Sequence, residues 1–166
     1  MKYSLYKVFI FLLFIALANS VYAVPKVIPK APAIAAKSYI LIDYNSGKII
    51  TQKNADMPVA PASITKVMTA YVVFVELEQG NIKLDDLVIV SKKAWQTPGS
   101  RMFIRVNTKV SIEDLLRGMI IQSGNDASVA LAEHIAGGED TLAALMNQHA
   151  QELGMKNTHF LNSTGL

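Results

Sequence analysis

Ser63-Ile64-Thr65-Lys66 places a hydroxyl and an amine three positions apart. A serine is a weak nucleophile until a base takes its proton. If Ser63 opens a helix, Lys66 lies about 60° around the axis and about 4.5 Å along it, so its amine reaches the hydroxyl. A helix start also offers unpaired backbone N–H groups, which suit a developing oxyanion. Lys66 acts as a base only when neutral, and burial or a neighbouring cation lowers a lysine pKa. Taken alone, the pattern is more often an N-cap serine followed by a solvated lysine.

Ser123-Gly124-Asn125 is the second group. One tight turn presents a hydroxyl and an amide. The Ser123 hydroxyl could relay a proton between Lys66 and a leaving group, and the Asn125 amide could hold a peptide carbonyl. Alone it is an ordinary inter-helix turn, since Ser, Gly and Asn favour turns for backbone reasons. A Ser-x-x-Lys at a helix start with a later Ser-x-Asn between helices is more specific than either. His134, His149 and His159 show no metal-ligand spacing, and there is no cysteine to join them. No phosphate-cradling glycine loop occurs. No metal or cofactor is expected.

The elements that must position these residues follow from periodicity and turn chemistry. Tyr39–Asp43 and Ile49–Gln52 flank Asn45-Ser46-Gly47-Lys48 and predict a β-hairpin. Pro58 and Pro61 punctuate the chain. A helix is predicted from Ser63, with Val67, Met68, Tyr71, Val72 and Val75 at helical spacing and Gly80 at its end. Val88–Ser91 reads as a short strand and Ala94–Met102 as a loop, with Trp95 and Met102 anchoring it. Ser111 is the predicted N-cap of a helix whose stripe is Ile112, Leu115, Leu116, Met119 and Ile120. A helix is predicted over Ala127–Ala136, stopped by Gly137-Gly138. Another covers Thr141–Leu153, closed by Gly154. Met155–Leu166 reads as a loop with at most one strand. A short strand pair followed by a helical block is an α+β pattern.

The 166 residues suffice for one domain or part of one. A hydrophobic content of 51% supports a packed core, and 17% charged residues exclude a charged disordered tail. The formal charge of +3 includes Lys2 and Lys7, and the first 23 residues hold no acid. The rest is close to neutral, which argues against a nucleic-acid binder. Those basic residues flank the start of an apolar run from Val8 to Ala18, broken by Asn19 and Ser20. Val21-Tyr22-Ala23 then supplies a cleavage site. The run is 11 residues, against the roughly 20 that span a bilayer. A secretory signal peptide over residues 1–23 is expected, then an extended proline-bearing lead-in over residues 24–37, then one domain over residues 38–166. The expected location is periplasmic or another extracytoplasmic part of the cell envelope.

With these residues in place, the chain resembles the low-molecular-weight D-alanyl-D-alanine carboxypeptidases, penicillin-binding proteins of peptidase family S11. The resemblance runs from about Ala36 to Leu166. It rests on Pro61-Ala62-Ser63-Ile64-Thr65-Lys66-Val67-Met68-Thr69-Ala70, on Gly99-Ser100-Arg101-Met102-Phe103, on Leu116–Ala127 and on Asn157-Thr158-His159-Phe160. It implies the α+β fold shared by β-lactamases and DD-peptidases, a sheet flanked by helices with a mainly helical subdomain. It implies that Ser63 is the acylated nucleophile, Lys66 its base, Ser123 the proton relay and Asn125 the substrate-backbone ligand. The substrate would be a peptidoglycan pentapeptide ending in D-Ala-D-Ala, and β-lactams would be covalent inhibitors. No nucleic-acid partner is implied.

The family's third motif, Lys-Thr-Gly on a sheet strand, does not occur in these 166 residues. The chain is therefore expected to be the N-terminal part of the catalytic domain, inactive by itself. The late sheet strands and any membrane-anchoring region are expected beyond it. Three alternatives remain open at this point. A class A β-lactamase would need a deacylating glutamate after the Ser-x-Asn turn, and residues 156–166 contain none. A muropeptide endopeptidase could use the same residues. A non-catalytic, truncated cell-wall-binding fragment would need neither.

Overall fold

A computed structural model describes residues 32–166. The expected signal peptide and residues 24–31 of the expected lead-in lie outside the described residues. The chain divides into two compact units, one ending at Met57 and one running from Pro58 to Leu166.

In the first unit, β1 (Tyr39–Ile42) and β2 (Ile49–Lys53) form the predicted antiparallel hairpin, in register from Tyr39↔Lys53 to Leu41↔Thr51, with a shift before Ile42↔Ile49. Asp43 builds its turn. The carboxylate accepts from the Ser46 amide at 2.8 Å and from the Ser46 hydroxyl at 2.6 Å. These donors hold the Asp43 carboxyl below its ordinary pKa. Gly47 supplies the φ of +68° that the turn requires. Lys53 Nζ donates to the Ala36 carbonyl at 2.9 Å and Asn54 Nδ2 to the Lys37 carbonyl at 3.1 Å, which fixes the residues leading into β1.

The second unit opens with a 3₁₀ turn, Ala62–Ile64, that runs into α1 (Thr65–Glu78). It continues through β3 (Leu87–Ile89), α2 (Lys92–Gln96), β4 (Lys109–Ser111), α3 (Ile112–Gln122), α4 (Asn125–Ala136) and α5 (Glu139–Glu152). β3 and β4 pair antiparallel from Leu87↔Ser111 to Ile89↔Lys109. Helices with short antiparallel strands give the α+β class expected. Part of the expected 94–102 loop is helical instead. The Ser91 hydroxyl accepts the Ala94 amide at 2.9 Å and nucleates α2. Pro98 forces Thr97 into an extended ψ of 124° and stops it. Residues 155–166 contain no strand.

α4 is the centre of this unit. Every residue from Asn125 to Ala132 is buried. Its small residues, Ala127, Ser128, Ala130 and Ala132, let α1, α2, α3 and α5 approach closely. Val73, Val90, Ile112, Leu115, Met119 and Leu131 share one apolar cluster. Met68, Val72, Ala132, Leu142, Met146 and Phe160 share another. Each large buried aliphatic contributes about 1.5–3 kcal/mol. Ser111 caps α3 as predicted, accepting the Asp114 amide at 3.1 Å. Ser111→Ala is expected to lower stability by about 1 kcal/mol, read as a lower urea midpoint at unchanged slope.

The apolar stripe predicted for α1 holds at Met68 and Val72, which are buried, and fails at Val67 and Tyr71, which are exposed. Val67 is 70% exposed, whereas Thr65, Lys66 and Thr69 are buried. Lys66 and Thr69 turn inward because buried carbonyls accept from them, as shown below. Ile120, also predicted to face inward, is 58% exposed on α3.

Candidate active site

Ser63 lies in the 3₁₀ turn and is exposed. Lys66, on the first turn of α1, is buried. Lys66 Nζ lies 3.2 Å from Ser63 Oγ and donates to the Thr164 carbonyl at 3.0 Å. Burial lowers the Lys66 pKa from the ordinary lysine value of 10.5. That shift enlarges the neutral fraction, the form that can accept a proton from Ser63. A chain entry strained at Ala62, φ +48°, delivers Ser63 to the helix start.

Ser123 ends α3 in the left-handed region, φ 56° and ψ 33°, and is half-buried. No hydrogen bond joins it to Ser63 or Lys66 among the described residues. Asn125 opens α4 and is only 3% exposed. Its amide N–H donates to the Ser100 carbonyl and its Nδ2 to the Pro98 carbonyl, both at 2.7 Å. One Nδ2 hydrogen is thus committed to the 98–100 loop, and the second hydrogen and Oδ1 are left for other partners. The Ser100 hydroxyl closes the same loop on the Gln122 carbonyl at 2.5 Å. Gly99 is required here, since φ is +87° and a Cβ would meet Asn125 Nδ2 at 2.6 Å.

The structure therefore brings Ser63 and Lys66 into direct contact and places Ser123 and Asn125 on one turn. The segment Asn162–Leu166 lies against Lys66 and Ala62 and beside the Gly99 loop that holds Asn125. Gly165 lies so close to the Ala62 carbonyl that a Cβ would overlap it, and Leu166 Cδ2 would meet a Cβ at Gly99 at 3.9 Å. Asn162 folds this segment by accepting from the Thr164 amide at 3.1 Å and the Gly165 amide at 2.7 Å.

Two further groups hold the site and carry no recognisable pattern in the sequence. Asp126 is fully buried. Its carboxylate accepts the Met102 and Ala127 amides at 3.0 Å and the Ile104 amide at 3.2 Å. Between those clamped amides Phe103 is forced to φ +63° and projects outward, with the Arg101 guanidinium 5.2 Å from its ring centroid. The Ser163 carbonyl accepts from Thr69 Oγ1 at 2.8 Å and Ser128 Oγ at 2.7 Å. Thr69 on α1 and Ser128 on α4 supply these hydroxyls, and both are fully buried. Among the described residues no cluster of three or more His, Cys, Asp or Glu could hold a metal.

A family model described as D-alanyl-D-alanine carboxypeptidase, peptidase S11, matches residues 26–166. A D-alanyl-D-alanine carboxypeptidase of Haemophilus influenzae is 49% identical over 138 residues, covering 81% of this chain and 35% of that protein. One from Escherichia coli K12 is 47% identical over 143 residues, covering 82% of this chain and 36% of its own. Among solved structures, a D-alanyl-D-alanine carboxypeptidase of Francisella tularensis superposes with a TM-score of 0.80 at 43% identity, covering 84% of this chain and 34% of that one. Penicillin binding protein 5 of H. influenzae gives 0.79 at 48%, covering 83% and 41%. The fold is thus that of these enzymes. The chain spans about a third of the length of the curated relatives it matches.

Proposed function

Since the chain belongs to the peptidase S11 family of D-alanyl-D-alanine carboxypeptidases, we propose that the protein carrying it removes the terminal D-alanine from cell-wall stem peptides through an acyl-enzyme on Ser63. The observation that supports this most is the buried Lys66 amine 3.2 Å from an exposed serine hydroxyl.

The steps follow from the side chains. Neutral Lys66 takes the Ser63 proton while Ser63 Oγ attacks the carbonyl carbon of the penultimate D-alanine. The oxyanion forms beside the N–H groups of the helix start. As the C–N bond breaks, the proton passes to the departing D-alanine nitrogen, with Ser123 as the relay. The product is an ester on Ser63. Water then attacks that ester carbon, the peptide acid leaves, and Ser63 regains its proton. Asn125 holds a substrate backbone group with its uncommitted amide atoms. A β-lactam carbonyl would be attacked in the same way, and its ring-opened ester would persist. The proposed setting is the extracytoplasmic envelope, reached through the N-terminal signal. Among the described residues no helix is long and apolar enough to cross a membrane.

The test uses the protein expressed from its complete reading frame. It is expected to release D-alanine from a peptide ending in D-Ala-D-Ala and to gain the mass of penicillin covalently. The acylation rate is expected to rise with pH as Lys66 loses its proton, with a midpoint below the ordinary lysine value because burial lowers the Lys66 pKa. Rapid penicillin hydrolysis without a lasting adduct would favour a β-lactamase. Neither release nor adduct would leave only a binding role.

A further inference from the structure

Lys66 has two hydrogen-bond partners, and the second, the Thr164 carbonyl, is held by a network that reaches the protein surface. Thr164 is buried, and the residue before it, Ser163, has every polar group occupied. The Ser163 carbonyl takes the Thr69 and Ser128 hydroxyls. Its hydroxyl donates to Glu139 Oε1 at 2.9 Å, and its amide reaches the same oxygen at 3.4 Å. Glu139 is the first residue of α5, and its other oxygen meets Lys93 Nζ at 3.1 Å. The chain of contacts is therefore Glu139 to Ser163, Ser163 to Thr164 through one peptide bond, and Thr164 to Lys66.

We propose that Glu139 is a positioning residue for the base: by accepting the Ser163 hydroxyl and amide, it fixes the Thr164 carbonyl against Lys66 and so aims the amine at Ser63. Thr69 and Ser128 hold the Ser163 carbonyl from α1 and α4. Glu139 holds the opposite, side-chain end of the residue. Without Glu139 the Ser163 amide and hydroxyl lose their protein acceptor, and a buried donor left unpaired drives the segment towards water. Water entering beside Lys66 reverses the burial that lowers its pKa.

The role belongs to the acceptor atom and not to the ion pair. Lys93 is 60% exposed at its side chain, and exposed pairs contribute little. Glu139 raises the Lys93 pKa, with Glu133 and Asp140 acting in the same direction, so Lys93 stays charged through neutral pH. It is a lid on the carboxylate, not a link to the base.

This inference rests on the acyl-enzyme reading above, and its test separates the two. Penicillin acylation rates are measured against pH for the full-length protein and three variants, with folding checked by thermal melting. Glu139→Ala is expected to slow acylation about tenfold to a hundredfold, as loss of alignment does, and to move the pH midpoint up towards the ordinary lysine value. Glu139→Gln keeps an oxygen acceptor for Ser163 and is expected to stay within about twofold of wild type. Lys93→Ala is expected to do the same. A folded Glu139→Ala protein with an unchanged rate, or with a slower rate at an unmoved midpoint, would overturn the assignment. So would a Gln variant as slow as Ala. If the wild-type protein takes no penicillin at all, the function reading fails first.

Discussion

Replacing Ser63 by alanine is expected to abolish covalent labelling by penicillin and to cut D-alanine release by at least about 10⁴-fold, the scale on which loss of an activated nucleophile acts. The expectation can be this sharp because the hydroxyl has no structural duty. Ser63 is exposed, and its Oγ contacts only Lys66 among the hydrogen-bonded groups described. When it goes, Lys66 still has the Thr164 carbonyl at 3.0 Å. No buried group is orphaned, so stability is expected to change by less than about 1 kcal/mol. Loss of activity with an unchanged melting curve therefore isolates chemistry from folding. Intact-protein mass after penicillin treatment is the measurement. An adduct on the Ser63→Ala protein would remove Ser63 from the nucleophile role and require another hydroxyl to be found.

The variant at Lys66 reads differently, which is why Ser63 is the cleaner probe. Lys66 is buried with two polar contacts, and its removal strands the Thr164 carbonyl. A loss of labelling there would mix base chemistry with displacement of the Asn162–Leu166 segment. The same coupling explains why Gly165 is needed: any side chain would strike the Ala62 carbonyl, one residue from the nucleophile.

How much of this was legible in the sequence depends on the range of each interaction. The hairpin turn at Asn45-Ser46-Gly47-Lys48, the Ser111 cap and the Gly80, Gly137 and Gly154 stops are local, set by residues a few positions apart, and each was predicted. The contact between Ser63 and Lys66 is also local, one helical turn. α1 was misread for the opposite reason. Of the predicted stripe Met68 and Val72 are buried, yet Val67 and Tyr71 are exposed, and Thr65, Lys66 and Thr69 are inside. Hydrophobic periodicity cannot place a polar residue in a core, because what makes its burial tolerable is a partner far along the chain. For Thr69 that partner is the Ser163 carbonyl and for Lys66 the Thr164 carbonyl. The family resemblance supplied the pairing of Ser63 with Ser123 and Asn125, which spacing alone left open. It supplied nothing about Glu139, whose role depends on α5 starting beside Ser163.

Asp126→Ala is expected to be the most damaging single change outside the reacting groups. The carboxylate is fully buried and accepts three backbone amides, Met102, Ile104 and Ala127. Each unpaired buried donor costs about 1–3 kcal/mol. The loop can relieve part of this by moving into water, so a loss of about 3–5 kcal/mol is expected. Asp126→Asn should fall between, because one oxygen still accepts while the new NH₂ faces an amide donor. The damage also reaches the site by a traceable route. Met102 and Ile104 flank Phe103, whose positive φ persists only while both amides are clamped. Ser100, in the same loop, accepts the Asn125 amide. Released at Met102, the loop no longer holds the Asn125 side chain through the Pro98 carbonyl. Two measurements check this: the urea midpoint, and hydrogen exchange at the Met102 and Ile104 amides, which should lose protection ahead of α4. If the Ala variant kept wild-type stability with both amides protected, another acceptor would have to serve them, and Asp126 would not be what shapes the loop beside Asn125.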